Sequence, residues 1–107
     1  MMSKARVRLP SKAKKGEVIE IKTLINHTME SGQRKDSAGN PIPRQIINKM
    51  TATFNGKEIL NATLHPGVSA NPYISFFTKV EESGTFEFVW HDDDGSTVKE
   101  TAKITVG

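Results

Sequence analysis

Apolar residues fall at every second position along most of this chain, and glycine or proline interrupts the pattern at short intervals. A period of two sends successive side chains to opposite faces of an extended strand, so each run carries one apolar and one polar face. Ala5, Val7 and Leu9 alternate with Lys4, Arg6 and Arg8. Ile19, Ile21 and Ile25 share one side with Glu20 and Lys22 on the other, and Met50, Ala52 and Phe54 alternate with Lys49, Thr51 and Thr53. No segment carries the three-to-four-residue spacing of an amphipathic helix.

The breaks between these runs have turn chemistry. Asn55-Gly56 reads as a tight hairpin turn because both residue types tolerate positive φ. Ile59 to Leu64 returns from it, and Tyr73 to Val80 supplies a strand carrying Ile74, Phe76 and Phe77. Glu81-Glu82-Ser83-Gly84 turns into Phe86, Phe88 and Trp90, three aromatics on one face and the heaviest apolar load in the chain. Asp92-Asp93-Asp94-Gly95 then turns into a last strand, where Val98, Ala102, Ile104 and Val106 oppose Thr97, Lys99, Thr101, Lys103 and Thr105. Strands with one apolar face each bury those faces by stacking as two sheets. The expected fold is all-β, an immunoglobulin-like β-sandwich of about seven antiparallel strands in two sheets, forming a single domain over residues 1–107.

Composition narrows the function classes. Hydrophobic residues at 36% and charged residues at 25% describe a globular protein, and no apolar run approaches the roughly 20 residues that cross a bilayer. The stretch Met1 to Leu9 is basic but has no apolar core or small-residue cleavage site of a leader, so the sequence by itself reads as cytoplasmic. The cysteine count of zero removes disulfides, zinc–thiolate sites, iron–sulfur clusters and a thiol nucleophile. Charge is unevenly spread: residues 1–57 hold twelve Lys/Arg against four Asp/Glu, whereas residues 58–107 hold three against eight. The basic half contains no aromatic except Phe54, so it lacks the stacking platforms of single-stranded nucleic-acid binders. A solvated basic face, or a docking face for an acidic protein, is the reading that fits.

Two loops concentrate chemical variety. The connection from about 26 to 45 is longer than an ordinary loop and carries His27, Met29, Glu30, Arg34 and Asp36. A base, an acid and a cation in one loop resemble an active site, but acid/base catalysis needs convergence in a dry pocket, which sequence proximity does not supply. The same groups serve as interface anchors: Arg34 as a forked donor, Met29 as an adaptable apolar contact, His27 and Glu30 fixing the loop. Asn71-Pro72-Tyr73 forms the second candidate. Asn71 is expected to be extended before Pro72, and Tyr73, at the start of a strand, is expected to bury its ring. Asp92-Asp93-Asp94-Gly95 lacks the alternate spacing of a calcium loop and reads as an acidic hairpin turn. His27, His65 and His91 are too far apart in sequence to form a short-range metal motif, and no familiar enzyme signature occurs.

In order and type, His27, Met29, Glu30, Gly32, Gln33, Arg34 and Asp36, then Pro43-Arg44, then Ser69 to Tyr73, then Trp90-His91-Asp92-Asp93-Asp94-Gly95, resemble the SoxZ family. Thr28 stands where that family is expected to carry proline. The resemblance implies a small immunoglobulin-like domain that pairs with SoxY, as a heterodimer or higher oligomer. SoxY bears a flexible C-terminal Gly-Gly-Cys-Gly-Gly arm holding sulfur intermediates covalently during thiosulfate oxidation. It implies no catalytic residue, cofactor or metal in this chain. A partner-binding set of His27, Met29, Glu30, Arg34, Asn71, Pro72 and Tyr73 follows from it, with transient visits by other sulfur-oxidation enzymes. It further implies residence in the periplasm, reached by export bound to a partner that carries the signal. A stand-alone binding domain and an enzyme using the His27 loop are the competing readings.

Overall fold

The computed structural model describes residues 4–27, 29, 35–42, 44–64 and 71–107. Eight strands follow one another: β1 (Lys4–Arg8), β2 (Lys12–Ala13), β3 (Glu17–Asn26), β4 (Ile47–Phe54), β5 (Lys57–Thr63), β6 (Tyr73–Val80), β7 (Gly84–Asp92) and β8 (Thr97–Val106). They form a three-stranded sheet in the order β1-β3-β6 and a five-stranded sheet in the order β2-β8-β7-β4-β5. The all-β sandwich expected from the two-residue period is therefore what the chain forms. One pairing departs from the antiparallel expectation, because β2 runs parallel to β8 through Lys12↔Thr105 and Ala13↔Val106. Pro10 lies between β1 and β2, where its missing N–H cannot continue a ladder, and the chain changes sheets there.

The core lies between the sheets. From the small sheet come Ile19, Ile21, Ile25 and Val80, and from the large one Met50, Ala52, Phe86, Phe88, Trp90 and Ile104, all buried. Phe54, Phe86, Phe88 and Trp90 form a continuous aromatic row, with successive ring centroids 4.5, 6.1 and 6.4 Å apart. Each fully buried ring contributes roughly 2–3 kcal/mol of transfer free energy, which makes this row the mainstay of a chain without disulfides. Thr23 is the exception on the inner face of β3, and its hydroxyl donates to the Ile74 carbonyl at 2.7 Å, so its burial leaves no polar atom unpaired.

Turn chemistry fixes the register of the large sheet. Asn55 and Gly56 have φ of 51° and 84°, the two left-handed residues of a type I′ turn, and Phe54 faces Lys57 across it. Asn55 has a second role: its Oδ1 accepts from the Thr85 N–H at 2.9 Å, tying the turn to the start of β7. The Glu81–Ser83 link carries the chain from β6 in one sheet to β7 in the other.

Candidate functional site

At one end of the sandwich the end of β3, the end of β7, the entry to β4 and the 71–73 corner converge on one imidazole. The side chains of His27 and Asp92 are 3% and 8% exposed, with Nε2 and Oδ2 2.6 Å apart. The other ring nitrogen, Nδ1, accepts the Met29 N–H at 2.9 Å. A nitrogen that accepts carries a lone pair, so the network assigns the proton to Nε2, which donates to the Asp92 carboxylate. The His27 backbone is held as firmly: its N–H donates to Asn71 Oδ1 at 2.9 Å, and its carbonyl accepts the Asn71 N–H at 2.8 Å. Every polar group of His27 is therefore occupied, two by Asn71, one by Asp92 and one by Met29.

Met29 continues the lock. Its φ of 54° is left-handed, a conformation that a non-glycine residue keeps only when its surroundings over-determine it. Its side chain is buried in the core, and its Sδ accepts the Ile47 N–H at 3.3 Å, where the β4–β7 register shifts between Ile47 and Lys49. The connection is thus pinned to β4 and β7 immediately after leaving β3.

The neighbouring Asp93 organises the chain before β4. Arg44 donates to it in a fork, Nε to Oδ2 at 2.8 Å and Nη2 to Oδ1 at 2.9 Å. Asn48 Nδ2 and the Ile46 N–H add bonds of 2.9 and 3.1 Å, and the Asp93 N–H returns a bond to the Ile46 carbonyl at 3.0 Å. The Arg44 hydrogen bonds, with those of Asn48 and Ile46, hold the Asp93 carboxyl well below the usual aspartate range despite its partial burial. The same bonds raise Arg44 in turn. Asp94 is also lowered, first by the Ser96 hydroxyl and then by the Ser96 N–H. Asp92-Asp93-Asp94 is therefore a hairpin turn, as its sequence suggests, whose carboxylates also clamp the long connection from two sides.

The residues singled out in the sequence meet different fates. His27, Asn71 and Pro72 come together, and Met29 joins them through the His27 ring. Glu30 and Arg34 lie outside the described residues, as do Thr28, Gly32, Gln33, Pro43, His65 and Ser69. Asp36 is occupied locally: its Oδ1 accepts the N–H groups of Ala38 and Asn40 at 3.0 and 2.9 Å, capping a small turn. Met29 packs into the core of its own chain, although its side chain was expected as an apolar contact for another.

Two expectations at the corner are corrected. Asn71 has φ of 56° instead of an extended backbone, because asparagine tolerates the left-handed region and gains two hydrogen bonds to His27 there. Tyr73 is 57% exposed, its ring on the outer face of the small sheet, since strand alternation points Ile74 inward in its place. Sequence reasoning missed Asp92 and Asp93 as partners of His27 and Arg44. The only signal was the coexistence of an acidic turn and a basic first half, and pairing over 65 positions has no local signature.

Among the described residues no three His, Cys, Asp or Glu side chains are grouped as metal ligands would be, and no helix is long and apolar enough to cross a membrane. The family described as sulphur oxidation protein SoxZ matches residues 7–103 of the chain. No curated protein matches. Among solved structures, the superoxide reductase (neelaredoxin) from Ignicoccus hospitalis superposes with a TM-score of 0.72 at 15% identity, over 96% of this chain and 80% of that one. The sulfur carrier protein SoxY from Chlorobium limicola f thiosulfatophilum gives 0.69 at 8% identity, over 96% and 78%. The CARDB domain of a Pyrococcus furiosus protein gives 0.61 at 11%, over 97% and 93%. At such identities the likeness shows a shared fold and nothing of activity.

Proposed function

The chain belongs to the SoxZ family of sulphur oxidation proteins, and from that membership we propose that it is the non-catalytic subunit of a sulfur carrier complex, paired with SoxY. In this reading SoxY holds the sulfur intermediate on its C-terminal cysteine and this chain braces the carrier. The family match over residues 7–103 carries the proposal. The chain's own chemistry supports it: covalent sulfur carriage needs a thiolate, and none of the 107 residues is cysteine. The thiol then comes from another polypeptide.

We assign the partner-facing region to the long connection and the 71–73 corner. His27, Met29, Asn71 and Pro72 are its supports, whose hydrogen bonds and burial fix the path of the chain. Glu30 and Arg34 are its charged contacts, and Tyr73 its exposed ring. Other enzymes of sulfur oxidation meet the assembled complex transiently, in the periplasm, which this chain enters together with its partner.

The test is the mass in solution of the purified chain mixed with SoxY. A heterodimer or a higher assembly of both chains is expected, and Arg34→Glu is expected to weaken it. Failure to associate, or transformation of thiosulfate by this chain alone, would overturn the reading.

A further inference from the structure

The outer face of the β1-β3-β6 sheet does not have the composition of an ordinary solvated sheet face. Val18, Tyr73 and Phe77 are 59%, 57% and 69% exposed, and among the described residues these are the large apolar side chains left in solvent. The register puts all three on this one face. Glu20 faces Phe77 with Val18 diagonal to it, and Arg6, Leu24 and Tyr73 stand in a row across the three strands. Around them the same face carries Lys4, Arg6, Arg8, Lys22 and Lys79. Glu20 lies 3.7 Å from Lys22 and Glu81 3.4 Å from Lys79, so the β1 cations Lys4, Arg6 and Arg8 carry its net positive charge. Between Arg6, Arg8, Lys22, Leu24 and Tyr73 lies a recess of about 190 Å³.

We propose that this face is the docking surface for a protein that presents apolar side chains interspersed with carboxylates. Its occupant is the cysteine-bearing partner of the preceding section, on which reading this inference rests. Val18 with Phe77 at one end and Leu24 with Tyr73 at the other form two apolar patches divided by the Arg8–Lys22–Ser75 row. That every exposed large apolar side chain among the described residues gathers on one face marks it as an interaction site more than scattered ones would. The cations around them select an acidic partner and supply steering. The recess accepts a carboxylate side chain laid against the Tyr73 ring, with Arg6 and Arg8 as forked donors. A second copy of the chain is a poor occupant, because a two-fold contact through this face sets Arg6, Arg8 and Lys22 against themselves. The face has a footprint on the order of 500 Å² from its strand count and length, below the roughly 800 Å² per partner of a stable complex. The partner therefore also reaches past β6, one of the two edge strands of this sheet, to the 71–73 corner and the connection assigned to it above.

Phe77→Asp and the double change Arg6→Glu with Arg8→Glu test this, since these side chains lie on the solvent face of the sheet. Thr101→Asp on the opposite sheet is the control. Light scattering and titration with SoxY should show wild type and control associating, and each face variant binding at least thirtyfold more weakly with an unchanged thermal melt. Wild type and face variants binding SoxY equally would place the interface elsewhere and overturn this inference while the carrier-subunit reading stands. No binding by wild type would remove that reading and this inference with it. A wild-type chain that dimerises by itself and is made monomeric by Phe77→Asp, or sediments with anionic vesicles until Arg6 and Arg8 are reversed, would assign the face to another occupant.

Discussion

The His27 Nε2–H donates to Asp92 Oδ2 at 2.6 Å and joins the end of β3 to the end of β7, across the two sheets of the sandwich. Neither side chain has an appreciable route to water, and removing Asp92 leaves the His27 Nε2–H buried without an acceptor. Asp92→Ala is expected to cost about 2 kcal/mol in urea denaturation, with the denaturant slope unchanged. Asp92→Asn keeps an acceptor for the Nε2 proton and is expected to cost less than half as much. Equal losses would show that charge, and not the hydrogen bond, carries the energy.

Asn71 separates backbone conformation from side-chain bonding. Asn71→Gly accepts φ of 56° without strain but loses the bond to the His27 N–H, a cost of about 1 kcal/mol. Asn71→Ala loses the same bond and adds left-handed strain of roughly 1 kcal/mol more. The order of stability should be wild type, glycine, alanine. Alanine at or above glycine in thermal melts would mean that the strain is relieved by a shift of the corner.

The Arg44–Asp93 fork should show in acid. A carboxyl whose folded-state value is depressed contributes stability that is fully present above its ordinary value of 3.8 and is lost as pH falls through the folded-state value. Removing Arg44 removes the largest cause of the depression. Denaturation midpoints measured from pH 5 down to about 2 should therefore fall more gently in Arg44→Ala than in wild type. With Arg44 48% exposed, the difference should also shrink in high salt. Parallel acid limbs would contradict the assignment.

Gly84 and Asn55 should be coupled. A Cβ on Gly84 would collide with the side-chain amide of Asn55, the group that accepts from the Thr85 N–H. Gly84→Ala is expected to cost about 1 kcal/mol by displacing that bond. In an Asn55→Gly background the obstacle is gone, so the same change should cost little, and a double-mutant cycle should be clearly non-additive. Additive costs would place the obstruction in the backbone.

If the basic outer face of the small sheet docks an acidic partner, association with SoxY should slow steeply as salt rises from 50 to 500 mM, with a smaller change in dissociation. A rate indifferent to salt would count against electrostatic steering by Arg6, Arg8 and Lys22.

Much of this architecture was written locally. Alternation along Ala5–Leu9, Ile19–Ile25, Met50–Phe54, Phe86–Trp90 and Val98–Val106 assigned the strands and their buried faces, because the side-chain period of a strand is a property of the strand alone. Asn55-Gly56 announced its turn for the same reason. The functional end was less legible. The sequence marked His27 and the 71–73 corner as unusual, yet what they do depends on which groups stand opposite them, and those groups come from β7 and from the entry to β4. The left-handed Asn71 defeated a rule about its proline neighbour because two hydrogen bonds from 44 residues away outweighed it. Tyr73 and Phe77 look like core aromatics until strand register, set by the pairing of β6 with β3, turns them outward.

Sequence alone thus determined the class of fold, the inner face of most strands and the absence of a thiol, since each rests on residue type and spacing. Tertiary structure decided that His27 meets Asp92, that Arg44 meets Asp93, and that three apolar side chains share one cationic face. Contacts between distant segments depend on sheet order and register, which the long-range packing of the whole chain selects.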